Sequence, residues 1–201
     1  IVIASTRPGR RGPAVARWFQ DFARKHDRFD VRLVDLADFK LPIYDEPQHP
    51  VMQQYAHAHT QAWSESVAAA DAFVFVTPEY NFNPPPALVN AFNYVHREWN
   101  YKACGFVSYG GASGGLRAAQ SAKLLVTTLK MMPMVESVMV PMVAQSVDEA
   151  GVFTANELIE DSAQQMLDEL AKWSGALASL RPQAPAEAEA KMDEQEAVAA
   201  A

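Results

Sequence analysis

Three loops marked by glycine or proline hold the residues best able to do chemistry: Ser5 to Gly12, Thr77 to Asn81, and Ser108 to Gly115. The first sets two hydroxyls (Ser5, Thr6) and the Arg7 guanidinium ahead of Gly12-Pro13, which opens a helix. A helix N-terminus offers unpaired N–H groups and the positive end of its dipole, so this set suits a phosphate monoester. It lacks both the Gly-Lys-Ser/Thr ending of a Walker loop and the three-glycine dinucleotide fingerprint. Arg10 and Arg11 either guide an anionic cofactor or simply face water.

The second loop, Pro78-Glu79-Tyr80-Asn81, supplies exposed N–H groups, an aromatic ring and an amide. An extended backbone of this kind lies well along the edge of a flat heterocycle. The third loop joins Ser108, Tyr109 and Ser113 to Gly110, Gly111, Gly114 and Gly115. With little side-chain bulk it can approach a ring closely and aim N–H groups at a developing negative charge. Taken singly, each loop also reads as an ordinary turn into a helix. Six of the nine glycines fall in the first and third loops, so backbone freedom is concentrated where a ligand would sit.

Each loop follows an apolar run that reads as a buried strand. The runs are residues 1–4, 31–36, 72–76, 103–107 and a more polar 135–140 that suits a sheet edge. Helical patterns lie between them, from Gly12 and over about 51–69, 86–97, 116–130 and 155–178. This alternation predicts an α/β, flavodoxin-like three-layer sandwich around a five-stranded parallel sheet in the order 2-1-3-4-5. Ligands of such sheets bind at the carboxyl ends of the strands, which is where all three loops fall. Residues 1–180 are expected to form this one domain, and 181–201 an acidic Ala/Glu-rich tail. The tail reads either as solvated chain or as a helix over 184–200 held by a neighbouring subunit or a lattice contact.

The chain has 201 residues, 49% apolar and 20% charged, which suits a globular domain with a real core. A net charge of −7, much of it in the tail, argues against a nucleic-acid partner. No apolar run nears the roughly 20 residues that span a bilayer, so no membrane partner is expected. The chain opens in a strand without an initiator Met, and a few upstream residues are expected. One cysteine, Cys104, excludes an internal disulfide and fits a reducing, cytoplasmic setting. It reads as an inert core residue. His57 and His59, two apart on an expected helix, make a poor metal pair, and no metal site is expected. Trp63, Trp99 and Tyr94 are candidates for a subunit interface.

Over about residues 1–145 these loops resemble the NAD(P)H-dependent FMN reductase family, with Pro78-Glu79-Tyr80-Asn81 the most specific part. The resemblance implies an enzyme with bound FMN, reduced by NADPH or NADH, that passes electrons to a small acceptor. The acceptor would be a free flavin, a quinone, an azo compound or a metal oxyanion. It places Ser5, Arg7, Arg10 and Gly12 at the phosphate, and Pro78, Glu79, Tyr80 and Asn81 beside the flavin, with the Asn81 N–H near N5. Ser108, Tyr109, Gly110, Gly111 and Ser113 would face the pyrimidine edge, with Gly110 and Gly111 donating to the reduced anion. No side chain is expected to act on its own, since the flavin carries the chemistry. A homodimer or homotetramer is also implied. After Asn81, Phe82-Asn83 and three prolines replace the small residues and Pro-Gly pair common in relatives. Substrate choice is expected to be decided there. A flavodoxin-type electron carrier and a non-catalytic interaction protein are the alternatives, and the open loop around Asn81 argues against the carrier.

Overall fold

In the computed structural model, which describes residues 1–181, the strands and helices alternate as expected. The order is β1 (Val2–Ile3), α1 (Gly12–Lys25), β2 (Val34–Asp35), the single turn α2 (Leu36–Phe39), α3 (Ala58–Ala68) and β3 (Ala72–Pro78). Then follow α4 (Pro86–Tyr94), β4 (Ala103–Tyr109), α5 (Leu116–Thr128), β5 (Met132–Pro133), β6 (Val138–Val140) and α6 (Glu157–Leu177). The tail, with its expected helix, lies outside the described residues.

The sheet is parallel and ordered β2-β1-β3-β4-β5, as read from the sequence. The fifth strand is broken. Met132 and Pro133 pair with Ala103 and Cys104, whereas Val138 to Val140 pair with Val107 to Tyr109. Met132 and Met134 donate to Lys102 and Cys104, so the ring nitrogen of Pro133 faces away from β4. That is the edge position at which a strand tolerates proline. Residues 135–137 leave the ladder, and only then does the chain return as β6.

Other boundaries shift for local reasons. Asp35 accepts from the Ala37 N–H and starts α2, which ends the second strand early. The helix expected from about residue 51 begins only at Ala58, after a short turn over Pro50–Met52.

Side chains alternate across the central strands and build two cores. Val74, Val76, Val107 and Tyr109 face α1 and α6, where Phe19, Met166 and Leu170 pack. Phe73, Phe75 and Phe106 face α3, α4 and α5. There Trp99 meets Phe73 and Phe75, Phe92 meets Phe75 and Trp99, and Trp63 meets Trp99 and Phe39, with centroids 4.9–6.1 Å apart across the cluster. Burying each large ring contributes about 1.5–3 kcal/mol. Trp63, Trp99 and Tyr94 are therefore core residues with 0–1% exposure, and not an interface. Cys104 is buried in the same layer, and burial pushes its thiol well above its ordinary range, as an inert residue requires.

The long connection between α2 and α3 is held by buried carboxylates. Glu46 accepts from the Ala56 and His57 N–H groups and so caps α3, which has no side-chain cap of its own. Glu98 accepts from Gln53, Tyr55 and Ser64. At the other end of α3, the buried Lys102 ammonium donates to the Val67 and Ala68 carbonyls.

One glycine fixes how the third loop enters α5. Gly115 has φ +82°, and a Cβ there would lie 2.7 Å from the Tyr109 nitrogen and 2.9 Å from the Ser108 Cβ. Gly115→Ala is expected to destabilise the fold by about 3 kcal/mol, from left-handed strain plus overlap with backbone. Urea denaturation measures this, and a loss well under 1 kcal/mol would refute the packing account.

Candidate functional site

At the carboxyl rim of the sheet, four predicted residues from four elements converge. Ser5 follows β1, is fully buried, and holds its Oγ 2.8 Å from the Tyr80 hydroxyl. Tyr109 ends β4 on the α1 side, and its hydroxyl is buried beside Ser5, with no hydrogen bond of good geometry among the described residues. A Cβ on Gly12 would lie 2.7 Å from that oxygen and 3.2 Å from the Ile3 Cγ2. Glycine is therefore what lets α1 approach the sheet here. Burial first, and the neighbouring Tyr80 next, push the Tyr109 phenol above its ordinary range, so it remains a proton donor.

The start of α1 has no side-chain cap; Arg11 occupies the N-cap position and no acid lies in the first turn. Other helices differ. Glu46 caps α3 and Asn156 caps α6, while α4 opens on Pro85 and Pro86, which have no N–H to satisfy. The N-terminus of α1 thus keeps its positive end and the Gly12 N–H beside the Tyr109 hydroxyl, while Pro13 has no N–H and the Ala14 N–H bonds to the Arg11 carbonyl.

The arginines of this loop divide. Arg7 is exposed at the rim, its backbone N–H 3.4 Å from the Ser5 Oγ. Arg10 turns inward and donates to both oxygens of Asp35 at 2.9 and 2.5 Å, and to the Ser5 carbonyl at 2.5 Å. This fork ties the first loop to the end of β2, a role neither sequence reading of Arg10 included. Arg11 stays exposed.

The second and third loops are joined by one carboxylate. Glu79 accepts from the Arg117 Nε at 2.8 Å and from its backbone N–H at 3.1 Å, with Arg117 Nη2 also at 2.5 Å. It therefore caps α5, which begins at Gly115 with no acid in its first turn. Burial opposes the Glu79 charge, but the hydrogen bonds from Arg117 and Ser113 outweigh it and hold the carboxyl below its usual range. The chain then reverses at Asn81 and Phe82, with Tyr80 and Asn83 exchanging backbone hydrogen bonds of 2.9 and 3.0 Å. Pro78 ends β3 opposite Tyr109, and the Glu79 N–H continues that pairing to the Tyr109 carbonyl.

In the third loop the expected donors are unequal. The Gly110 N–H is committed to the Val140 carbonyl at 3.2 Å, which corrects its assignment as a donor to a ligand. Gly111 has no bonded N–H among the described residues, and no protein atom lies within 4 Å of where its Cβ would be. Its carbonyl and that of Gly110 are gripped from below by Met142 and Val143. Ser108 is buried and donates to the Gly114 carbonyl, so it shapes the loop. Ser113 folds back on the Gly115 N–H and on Glu79.

Sequence reasoning missed Arg117 and Asp35. A cation in the first turn of a helix is unfavourable, so Arg117 was a legible hint of an acid arriving from elsewhere. It also misplaced His57, which stands extended at the N-cap of α3 and stacks on His59 with centroids 5.2 Å apart. Both approach Asp45, yet among the described residues no group of three or more His, Cys, Asp or Glu is placed to hold a metal. Among the same residues, no helix is long and apolar enough to cross a membrane.

The donor set fits a flavin mononucleotide: an uncapped helix start and an orphan hydroxyl for a phosphate, and an open glycine with a free N–H for a ring. Comparison with known proteins agrees. An NAD(P)H-dependent FMN reductase of Schizosaccharomyces pombe is 42% identical over 122 residues, 60% of this chain and 61% of that protein. A quinone reductase of Pseudomonas putida is 29% identical over 184 residues, 86% of this chain and 92% of its own. The Paracoccus denitrificans flavoenzyme NAD(P)H:(acceptor) oxidoreductase shares the fold, with a TM-score of 0.70 at 19% identity over 87% of this chain and 95% of its own. The family described as NADPH-dependent FMN reductase matches residues 1–145, and the chain belongs to it.

Proposed function

We propose that this chain is an FMN-dependent oxidoreductase that carries reducing equivalents from NAD(P)H to a small planar acceptor, with quinones the favoured class. One observation carries the reading: the buried Tyr109 hydroxyl, which makes no hydrogen bond of good geometry among the described residues, stands against Gly12 at the start of α1, which has no capping side chain and no acid in its first turn. Bound FMN supplies the hydride chemistry. The protein's own residues bind and orient it.

The N–H groups at the start of α1, the Tyr109 hydroxyl and Arg7 hold the phosphate. Pro78 to Asn81 and Tyr109 to Ser113 border the ring system, and the free Gly111 N–H is the donor to its developing negative charge. Arg10 and Glu79 act on the cofactor through backbone, by fixing the first loop and by joining the second to the third. Asn81, Phe82 and Asn83 are exposed, so the rim stays open to a second substrate. The quinone reductase among the relatives supports that acceptor class.

We further propose a homodimer or homotetramer. Leu124 and Val135 are 74% and 84% exposed, and the Lys123 ammonium reaching the Val135 carbonyl places them in one neighbourhood. A cytoplasmic location accords with the unpaired, buried Cys104.

Purified protein mixed with FMN should gain a 450 nm band that NADPH or NADH bleaches and a quinone restores. A band that no pyridine nucleotide bleaches makes it an electron carrier, and no FMN uptake overturns the reading. Gly111→Val should weaken FMN at least about tenfold, or ~1.4 kcal/mol, while leaving the melting temperature within about 2 °C. Equal FMN affinity would remove Gly111 from the site. The depressed Glu79 carboxyl stabilises the fold above its ordinary value of 4.5, and that contribution fades as pH falls through the lowered range. The stability gap between wild type and Glu79→Gln should therefore be full at neutral pH and shrink below about 4.5; a gap constant with pH contradicts the ion pair. Sedimentation at micromolar concentration should show a dimer or tetramer, and a pure monomer ends that proposal.

A further inference from the structure

The turn at the tip of the second loop is built from the wrong residue. Asn81 has φ +50° and Phe82 φ +70°, the pattern of a type I′ turn, for which Asn-Gly is the strongly preferred pair. Asparagine visits this region readily, but phenylalanine does not. Nor is the ring compensated by burial, since Phe82 is 62% exposed. Strain of this kind persists only where surrounding groups over-determine it.

Those groups come from one face of α5. Arg117 lays its guanidinium 3.9 Å from the centroid of the Phe82 ring while its Nε and backbone N–H hold Glu79. One turn later, Ser121 donates to the Asn83 Oδ1 at 3.1 Å, and the Asn83 amide donates to the Asn81 carbonyl at 3.2 Å. A single helix face therefore grips the residues on both sides of the strained pair.

We propose that Arg117 is a positioning residue, which by stacking on Phe82 holds the left-handed Asn81-Phe82 turn in the one shape that presents the Asn81 backbone to the flavin. The idea rests on the FMN reading above. It predicts a specific rescue. Glycine at position 82 adopts the turn without help, so Phe82→Gly should make Arg117 dispensable, whereas Phe82→Ala removes the ring yet keeps the strain.

The test measures the FMN dissociation constant of the full chain for Arg117→Ala, Phe82→Ala, Phe82→Gly and the double variant Arg117→Ala/Phe82→Gly. Amide spectra of the FMN-free proteins at residues 80–83 are recorded beside it. Arg117→Ala and Phe82→Ala should each weaken FMN about tenfold, or ~1.4 kcal/mol. Phe82→Gly should stay within about threefold of wild type, and Arg117→Ala should add less than about threefold in that background. The amides of Asn81 and position 82 should shift or broaden in Arg117→Ala and recover in the double variant. The same loss from Arg117→Ala in both backgrounds, or no loss in either, overturns the proposal. If circular dichroism shows Arg117→Ala unfolded, Arg117→Lys takes its place, since it keeps a charge for Glu79 but loses the planar fork. Should wild type take up no FMN, the reading of function fails, and the amide spectra alone then decide whether Arg117 sets the turn.

Discussion

The rim of this protein depends on one carboxylate. Glu79 leaves β3 and accepts from both the side chain and the backbone of Arg117, so the end of one strand caps the helix that follows the next. Parallel strands share no hairpins, and their loops at the carboxyl edge are covalently remote from one another. Without such a tie, the second and third loops would each choose their own conformation. The ladder helps, through the Glu79 N–H to the Tyr109 carbonyl, but it stops at the last residues of β3 and β4. Beyond that point the Glu79–Arg117 pair carries the geometry outward to Asn81 and Gly111.

The same device recurs around the site with a different partner each time. Asp35 draws Arg10 and the first loop to β2, Glu46 closes α3, and Glu79 closes α5. Each neutralises a cation or a helix start, leaving the N-terminus of α1 as the rim's unsatisfied positive feature, with Arg7 and Arg11 exposed nearby. On the proposed function, anion selection there would rest mainly on backbone donors and a neutral phenol. Such groups favour a small, directed ligand such as a phosphate monoester over a diffuse polyanion.

Most of the fold was legible because its signals are periodic. The continuous apolar runs at 72–76 and 103–107 became the two central strands, and Gly12-Pro13 marked the start of α1 at the residue where it begins. The loops were legible as a group at the carboxyl rim because glycine and proline clustered at strand ends. What escaped was the pairing of side chains far apart in the chain. Glu79 and Arg117 are 38 positions apart, and Arg10 and Asp35 are 25 apart; nothing local distinguishes them from solvated charges. The Gly110 donor failed for the same reason, since its acceptor Val140 lies in β6, 30 positions further along the chain. Trp63 and Trp99 escaped because indole rings on short helices are equally at home in a core or an interface.

The core and the rim solve opposite problems. Behind the rim, rings and aliphatic side chains stack at ordinary separations, and the helix termini are capped in ordinary ways. At the tip of the second loop a phenylalanine accepts a conformation that costs about 1–2 kcal/mol, where a glycine would be free. Glycine there would also leave the turn mobile, because it occupies several backbone regions about equally. A strained residue held by Arg117 has few alternatives once the stack is made, and Ser121 on Asn83 removes one more. Small residues after Asn81 would give an easy turn and a bare edge. This chain instead has a left-handed turn carrying an exposed aromatic ring under the Arg117 guanidinium. On the proposed function, that exposed ring stands at the open rim, where it can bear on which second substrate is accepted.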